Sequence, residues 1–176
     1  MLRPTMTEDS TLTTDRLCLR PIGPADFSDL LALASHPEVG GRLKHGVLDA
    51  TATQAMLEAY CQAWARRGFG VFVVHERAGG AFAGIAGLWD HDDDLGIALR
   101  YAVMPAFRRR GYASEAARAV LDFAALRGIG PIVAATREDN AASRRILEAL
   151  GFRLGEVRGP AHHRVAIYRS GAADQA

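Results

Sequence analysis

Ile132 to Thr136 is the stretch that most constrains the fold. It is a short, continuously apolar run, preceded by the breaker Gly128-Ile129-Gly130-Pro131 and followed by a helical pattern from Asn140. A strand without a polar face is stable only where its sheet is covered on both sides. The run therefore predicts a central strand with helices packed above and below it.

The flanking segments supply those layers. From Leu12 the pattern alternates: Leu17, Leu19 and Pro21 share one face and Arg16 and Arg20 the other, as in a half-buried strand. Pro24-Ala25-Asp26 opens a helix with Phe27, Leu30, Leu31 and Ala34 at helical spacing, ended by His36-Pro37. Glu38 to Ala50 is Gly-rich and irregular. Thr51 to Arg67 then predicts a second amphipathic helix carrying Met56, Leu57, Tyr60 and Trp64, stopped by Gly68. Phe69 to His75 and Ala81 to Trp89, joined by Ala78-Gly79-Gly80, predict a hairpin. A third strand, Leu95 to Met104, follows the acidic turn Asp90-His91-Asp92-Asp93-Asp94. Helices from about Gly111 to Arg127 and from Asn140 to Leu150 flank the apolar strand, the second capped by Asn140 and closed by Gly151. Phe152 to Val157 and His163 to Arg169 end the order β-α-α-β-β-β-α-β-α-β-β as an antiparallel pair. This is a mixed α/β (α+β) layer structure of seven strands and four helices, without repeats or a dividing linker. It predicts a flexible leader over 1–11, one domain over 12–170 and a flexible tail over 171–176.

At 176 residues one core is expected. A formal net charge of +1 gives no footprint for wholesale nucleic-acid binding. No run of about 18 apolar residues is present, and Met1 to Asp15 lacks a basic-then-apolar signal pattern. The expectation is a soluble cytoplasmic protein with neither a nucleic-acid nor a membrane partner. Cys18 and Cys61 stand far apart and read as small hydrophobes in a reducing compartment, not as a disulfide or a zinc site.

Chemistry concentrates between Tyr101 and Ala116, where a strand leads through Arg108-Arg109-Arg110 into the start of a helix. A helix N-terminus offers free N–H groups and partial positive charge to a phosphate, and small residues at Gly111 and Ala113 let that backbone approach a diphosphate. A Walker loop is excluded because no Gly-Lys pair occurs, and the dinucleotide pattern GxGxxG is absent from this loop. What remains is R-x-x-G-x-A, formed by Arg108, Gly111 and Ala113.

This loop resembles the acyl-CoA signature Q/R-x-x-G-x-G/A of the GNAT acetyltransferases. Val103-Met104-Pro105 resembles the end of that family's splayed central strand. Asn140-Ala-Ala-Ser143 with Leu150-Gly151-Phe152 is similar to its N-x-x-S/A … G-F segment, and Leu12-Thr-Thr-Asp-Arg-Leu-Cys-Leu-Arg20 to the first strand of its ribosomal-protein N-terminal (RimJ/RimL-type) branch. The Tyr101 and Gly111-Tyr-Ala-Ser-Glu115 wording fits that branch too. The resemblance covers nearly the whole chain. It implies a GNAT fold, a single mixed, mostly antiparallel sheet whose central parallel pair is splayed apart. It also implies transfer of an acetyl group from acetyl-CoA to a primary amine through a tetrahedral intermediate. The acceptor would be a protein or peptide N-terminus, a polyamine or a small-molecule amine, and the protein a monomer or homodimer that needs no metal.

By the same resemblance, Ala102, Val103, Arg108, Arg109, Arg110, Gly111, Tyr112, Ala113, Ser114, Asn140 and Ser143 would contact coenzyme A, and a backbone N–H near Val103 or Met104 would polarise the carbonyl. Asn140 is also a plain helix cap, and Ser143 is either a first-turn hydroxyl or the proton donor to the leaving thiolate. Many relatives carry a tyrosine as general acid where this chain has Leu147. The glutamate that often serves as base has no counterpart in Ile97-Ala98-Leu99-Arg100, where Ala98 stands in its place. Asp90, His91 and Asp94 are the nearest replacements, with His91 titrating in the useful range; the other reading makes them a solvated hairpin tip. Glu115 reads as structural, favoured by the helix dipole. Adjacent His162 and His163 would point to opposite faces of a strand and could not share one metal. The missing glutamate and Leu147 leave a second reading open, a non-catalytic acyl-CoA-binding module of the same fold.

Overall fold

The computed structural model describes residues 10–41, 46–91 and 95–170. Their strands are β1 Leu12–Thr13, β2 Leu17–Pro21, β3 Val71–Glu76, β4 Phe82–His91, β5 Gly96–Val103, β6 Ile132–Arg137, β7 Phe152–Arg158 and β8 Val165–Ser170. They form one sheet in the order β1-β2-β3-β4-β5-β6-β8-β7, antiparallel throughout except for the parallel pair β5–β6. The helices are α1 Phe27–Ala34, α2 Pro37–Gly40, α3 Ala50–Arg67, α4 Tyr112–Leu126 and α5 Ala141–Ala149.

The sheet has eight strands where seven are expected, because Leu12 to Pro21 is not one strand. The N–H of Thr14 donates to the Leu17 carbonyl at 2.9 Å and its Oγ1 accepts from the Leu17 N–H at 3.0 Å, which folds β1 back onto β2. A fifth helix arises at Pro37, which ends α1 and then opens a single turn of its own, where proline's missing N–H costs nothing. His36 Nδ1 accepts from the Glu38 N–H there at 3.2 Å. The last strand begins at Val165 instead of His163, and His162 and His163 lie in an exposed turn. Residues 1–9 of the expected leader, the tail 171–176, and Asp92, Asp93 and Asp94 of the acidic turn lie outside the described residues.

Alternation along the strands builds a core on each face. On β3, Phe72 and Val74 join Val120 and Phe123 of α4 and Leu147 of α5. Val71 and Val73 turn the other way, toward Leu30 and Leu33 of α1 and Leu57 and Tyr60 of α3. Each such buried side chain is worth roughly 1.5–3 kcal/mol. The expected core aromatics are placed accordingly: Phe72 is fully buried, and Trp64 packs edge-on against it while donating Nε1–H to the Val71 carbonyl at 2.7 Å. Ile132, Val133 and Ala134 of the apolar run are all buried, with α4 and α5 on one face.

Candidate active site

The parallel pair that joins the two halves of the sheet is brief. β5 and β6 pair only at Ile97↔Ile132 and Ala98↔Val133. Past those residues β5 stays on β4 and β6 follows β8, so the strands part over Leu99–Val103 and Ala134–Arg137. In an antiparallel ladder, successive residues turn their backbone groups to opposite sides. The Met104 N–H donates to the Ala83 carbonyl at 2.9 Å, so Ala102 and Arg100 also bond toward β4, while Tyr101 and Val103 turn their N–H and C=O groups toward the parting. Of the two expected carbonyl-polarising donors, Val103 is therefore available and Met104 is occupied. β4 approaches closely here, at Gly84 (φ 151°), where any Cβ would strike the Ala102 carbonyl.

At the open end of the parting the chain runs through a 3₁₀ turn, Pro105–Phe107, into the basic loop. Arg109 (φ 61°) and Gly111 (φ 79°) both adopt the left-handed conformation, which curls the loop so that α4 starts at Tyr112. The N–H groups of Tyr112, Ala113 and Ser114 have no acceptor within the helix, since the first intrahelical bond runs from Glu115 to Gly111 at 3.0 Å. Only glycine holds this conformation without strain while leaving the approach to those groups free of a Cβ.

The arginines differ in their partners. Arg108 is bound by α2: its Nη1 meets Glu38 Oε2 at 2.7 Å and its Nη2 the Glu38 carbonyl at 3.0 Å. Arg110 pairs with Glu76 at 3.2 Å, and Glu76 also accepts the Tyr112 hydroxyl at 2.5 Å. Arg109 is exposed and has no ion pair or hydrogen bond among the described residues. Arg16 joins this group although the strand pattern makes it a solvent-facing residue. It stacks over the Tyr112 ring, donates Nη1–H to the Arg110 carbonyl at 2.7 Å and meets Glu115 at 2.5 Å. Glu115 accepts also from the Thr14 hydroxyl at 2.6 Å and the Arg16 N–H at 3.1 Å. Burial pushes this carboxyl up, but the hydrogen bonds and charge from Thr14 and Arg16 outweigh it and hold Glu115 below the usual range.

Across the parting stands the start of α5. Asn140 caps it, its Oδ1 accepting from the Ser143 N–H at 3.2 Å, which leaves the amide NH₂ available as a donor. The Ser143 hydroxyl lies 2.8 Å from the hydroxyl of Tyr101, which also approaches the Ser143 carbonyl at 3.3 Å. Burial raises the Tyr101 phenol above its ordinary value and the bond to Ser143 pulls it partly back, so it stays a neutral donor at pH 7. This pair links β5 to the start of α5 at side-chain level. Sequence reasoning missed Tyr101 as a functional group, although its position two residues before Val103 puts it on the same face and turns its backbone to the same side. Leu147 is 1% exposed and belongs to the core.

Asp90 and His91 are not brought to this place, which corrects their candidacy as the base. They pair with Ile97 and Gly96, at the end where β5 and β6 are joined. The six residues from Ile97 to Val103 put them roughly 20 Å from the open end. Asp90 is exposed there and ion-paired with Arg67 at 2.7 Å. The carboxylates beyond β6 are engaged: Glu138 with Arg164 at 2.8 Å and Asp139 with Arg137 at 2.8 Å. On the α3 face of β5, Ala98 is followed by Arg100, whose Nη1 donates to the Tyr60 hydroxyl at 2.7 Å.

Free N–H groups, a guanidinium unpaired among the described residues and a Cβ-free approach at one end of a parted sheet suit a diphosphate, and the backbone edge at Tyr101 and Val103 suits an amide-bearing arm. Among the described residues no group of three or more His, Cys, Asp or Glu side chains could hold a metal, and no helix is long and apolar enough to cross a membrane.

The sequence profile of the Acetyltransferase (GNAT) domain matches residues 16–153. Among solved structures, a protein from Bordetella pertussis assigned to the GnaT-family acetyltransferases superposes with a TM-score of 0.82 at 25% identity, over 92% of this chain and 99% of that one. An acetyltransferase from Salmonella typhimurium that modifies the N-terminal serine of ribosomal protein L7/L12 gives 0.77 at 18% identity, covering 91% and 98%. The Salmonella typhimurium protein yncA, with its cofactor acetyl-CoA, gives 0.71 at 22% identity, covering 87% and 92%.

Proposed function

Because the chain belongs to the GNAT acetyltransferase family, whose co-substrate is acetyl-CoA, we propose that it acetylates a primary amine by direct attack on the thioester. The observation that carries this reading is the separation of β5 from β6 beyond Ala98 and Val133, with the free start of α4 at its mouth.

In this reading the N–H groups of Tyr112, Ala113 and Ser114, with Arg109, hold the diphosphate, and Arg16 and Arg110 add positive charge beside it. Arg108 acts through Glu38 to set the loop. The Tyr101 backbone and the Val103 carbonyl bond the pantetheine arm along the strand edge, and the Asn140 NH₂ donates to one of its carbonyls. The Val103 N–H stabilises the negative charge that develops on the carbonyl oxygen. As the N–C bond forms and the C–S bond breaks, the nitrogen gives up a proton and the sulphur gains one. Ser143, held by Tyr101, donates toward that sulphur. A thiol near pKa 8.5 is a stable leaving group, so the absence of a tyrosine at Leu147 is tolerable. The acceptor is a protein N-terminus, as for the ribosomal-protein relative, or a small-molecule amine. The free cysteines fit action in the cytoplasm.

Calorimetry with acetyl-CoA tests the site. Gly111→Asp puts a side chain and a negative charge where the diphosphate sits, and affinity is expected to fall at least a hundredfold with the fold retained. Unchanged affinity would remove the loop from the site. Retained binding with no amine-dependent thiol release across a broad panel would favour the acyl-CoA-binding module.

A further inference from the structure

The α3 side of the parted strand carries a cation with no counter-charge among the described residues. Arg100 is half-buried, its only hydrogen bond among the described residues is the one it gives to the Tyr60 hydroxyl, and no carboxylate pairs with it. Tyr60 is 1% exposed and packed edge-on against Trp89, so it gives the guanidinium a fixed neutral anchor and no compensating charge. A guanidinium has five N–H donors, and a half-buried one that uses a single donor is poorly satisfied by the protein itself.

Its neighbours enclose it on all sides but one. Gly87 faces it directly across the ladder, with the backbone of Gly70 and Val71 packed against that glycine, and Ile85, Trp89 and Tyr60 enclose it on the β4 and α3 side, while along β5 only the methyl groups of Ala98 and Ala102 flank it. On the remaining side β6 has already departed, since the last parallel pair is Ala98↔Val133. The free side of Arg100 is the parting itself, three residues, or about 10 Å along the strand, from Val103. The side chain stands on the α1–α3 face, opposite the face from which Tyr101 reaches Ser143.

Building on the acetyltransferase reading, we propose that Arg100 receives a carboxylate of the acceptor, which makes the preferred substrate an amine that also bears an acid group, such as an amino acid or an acidic peptide N-terminus. Pairing with Arg100 also cancels the hold that the acceptor's own carboxylate has on its ammonium proton, which favours the neutral nucleophile where no free carboxylate base stands among the described residues. A carboxylate on the acceptor offsets the repulsion that would otherwise weaken its binding. Polyamines, which bring only positive charge, are poor acceptors in this arrangement.

The test compares thiol release from acetyl-CoA with amino acids offered in three forms: free acid, amide and decarboxylated amine. Free acids are expected to exceed the other two by about tenfold or more in kcat/KM, the range of a charge-assisted hydrogen bond. Arg100→Gln, which keeps a donor for Tyr60, should abolish that preference without changing the KM for acetyl-CoA, and Arg100→Lys should restore part of it. Equal rates for acids and amides, or an unchanged preference in Arg100→Gln, would overturn the proposal while leaving the transferase reading standing. If no amine supports thiol release, calorimetry of the same three forms on coenzyme A-saturated protein decides. Carboxylate-dependent binding lost in Arg100→Gln would uphold the Arg100 site and sink the transferase reading, and its absence from the wild type would sink the Arg100 site.

Discussion

Tyr101 and Ser143 join β5 to α5, two elements that no backbone ladder connects, so their hydroxyl pair is a polar link across the open end. If the Tyr101 O–H donates to Ser143 Oγ, the serine proton is left free to point at the thioester sulphur. Tyr101→Phe is then expected to lower kcat about tenfold and to leave the KM for acetyl-CoA within twofold. In a Ser143→Ala background the same change should cost little, because coupled residues give non-additive losses. Fully additive losses in this cycle would mean that the two hydroxyls act separately. The spacing of Asn140 and Ser143 marks both residues from sequence alone, since a cap and its N3 position are three apart in any helix. Tyr101 carries no such local mark: its role depends on which face of β5 meets α5. Asp90 and His91 fail for the converse reason. Their residue types suit a base, but ladder register sets them at the joined end of the strands.

β5 is built to serve two partners at once. Its even-numbered residues bond toward β4 and its odd-numbered residues toward β6, until β6 departs. Amide exchange should read this alternation directly. In the ligand-free protein the Tyr101 and Val103 amides should exchange at least tenfold faster than those of Ala102 and Met104, and saturating acetyl-CoA should slow the first pair selectively. Uniform protection along β5 would mean that the parting is closed in solution. The strand itself was legible from its composition, and so were α4 and α5 from their breakers and caps. The division of the first strand went unread, although Thr13, Thr14, Asp15 and Arg16 interrupt the alternation with four polar residues in a row, because the reversal itself is made by the Thr14–Leu17 bonds. The single turn Pro37–Gly40 was hidden too, proline being both a stop and a start.

Across the whole molecule, Glu115 ties the first strand pair to the helix of the cofactor loop, bonding Thr14 and Arg16 from 101 and 99 residues away. Its carboxyl is held below the ordinary value, so its stabilising effect is complete above the unfolded pKa near 4.3 and is lost as pH falls through the lower folded value. The melting temperature of wild type should exceed that of Glu115→Gln by a few degrees from pH 5 to 8, and the gap should close below about pH 4. A gap independent of pH would assign Glu115 a packing role alone. The sequence by itself determined the layered α/β class, the central buried strand, the helix that opens at Gly111 and the family signature, because hydrophobic period, caps and breakers act over a few neighbouring residues. Only the tertiary structure decided which strands lie side by side, where β5 and β6 part, that Arg108 and Arg110 are engaged by Glu38 and Glu76, and that Arg100 borders the gap with no counter-charge among the described residues. Those properties arise from contacts between segments distant along the chain, and pairing of that kind is set by the packing of the whole sheet and its two helical layers.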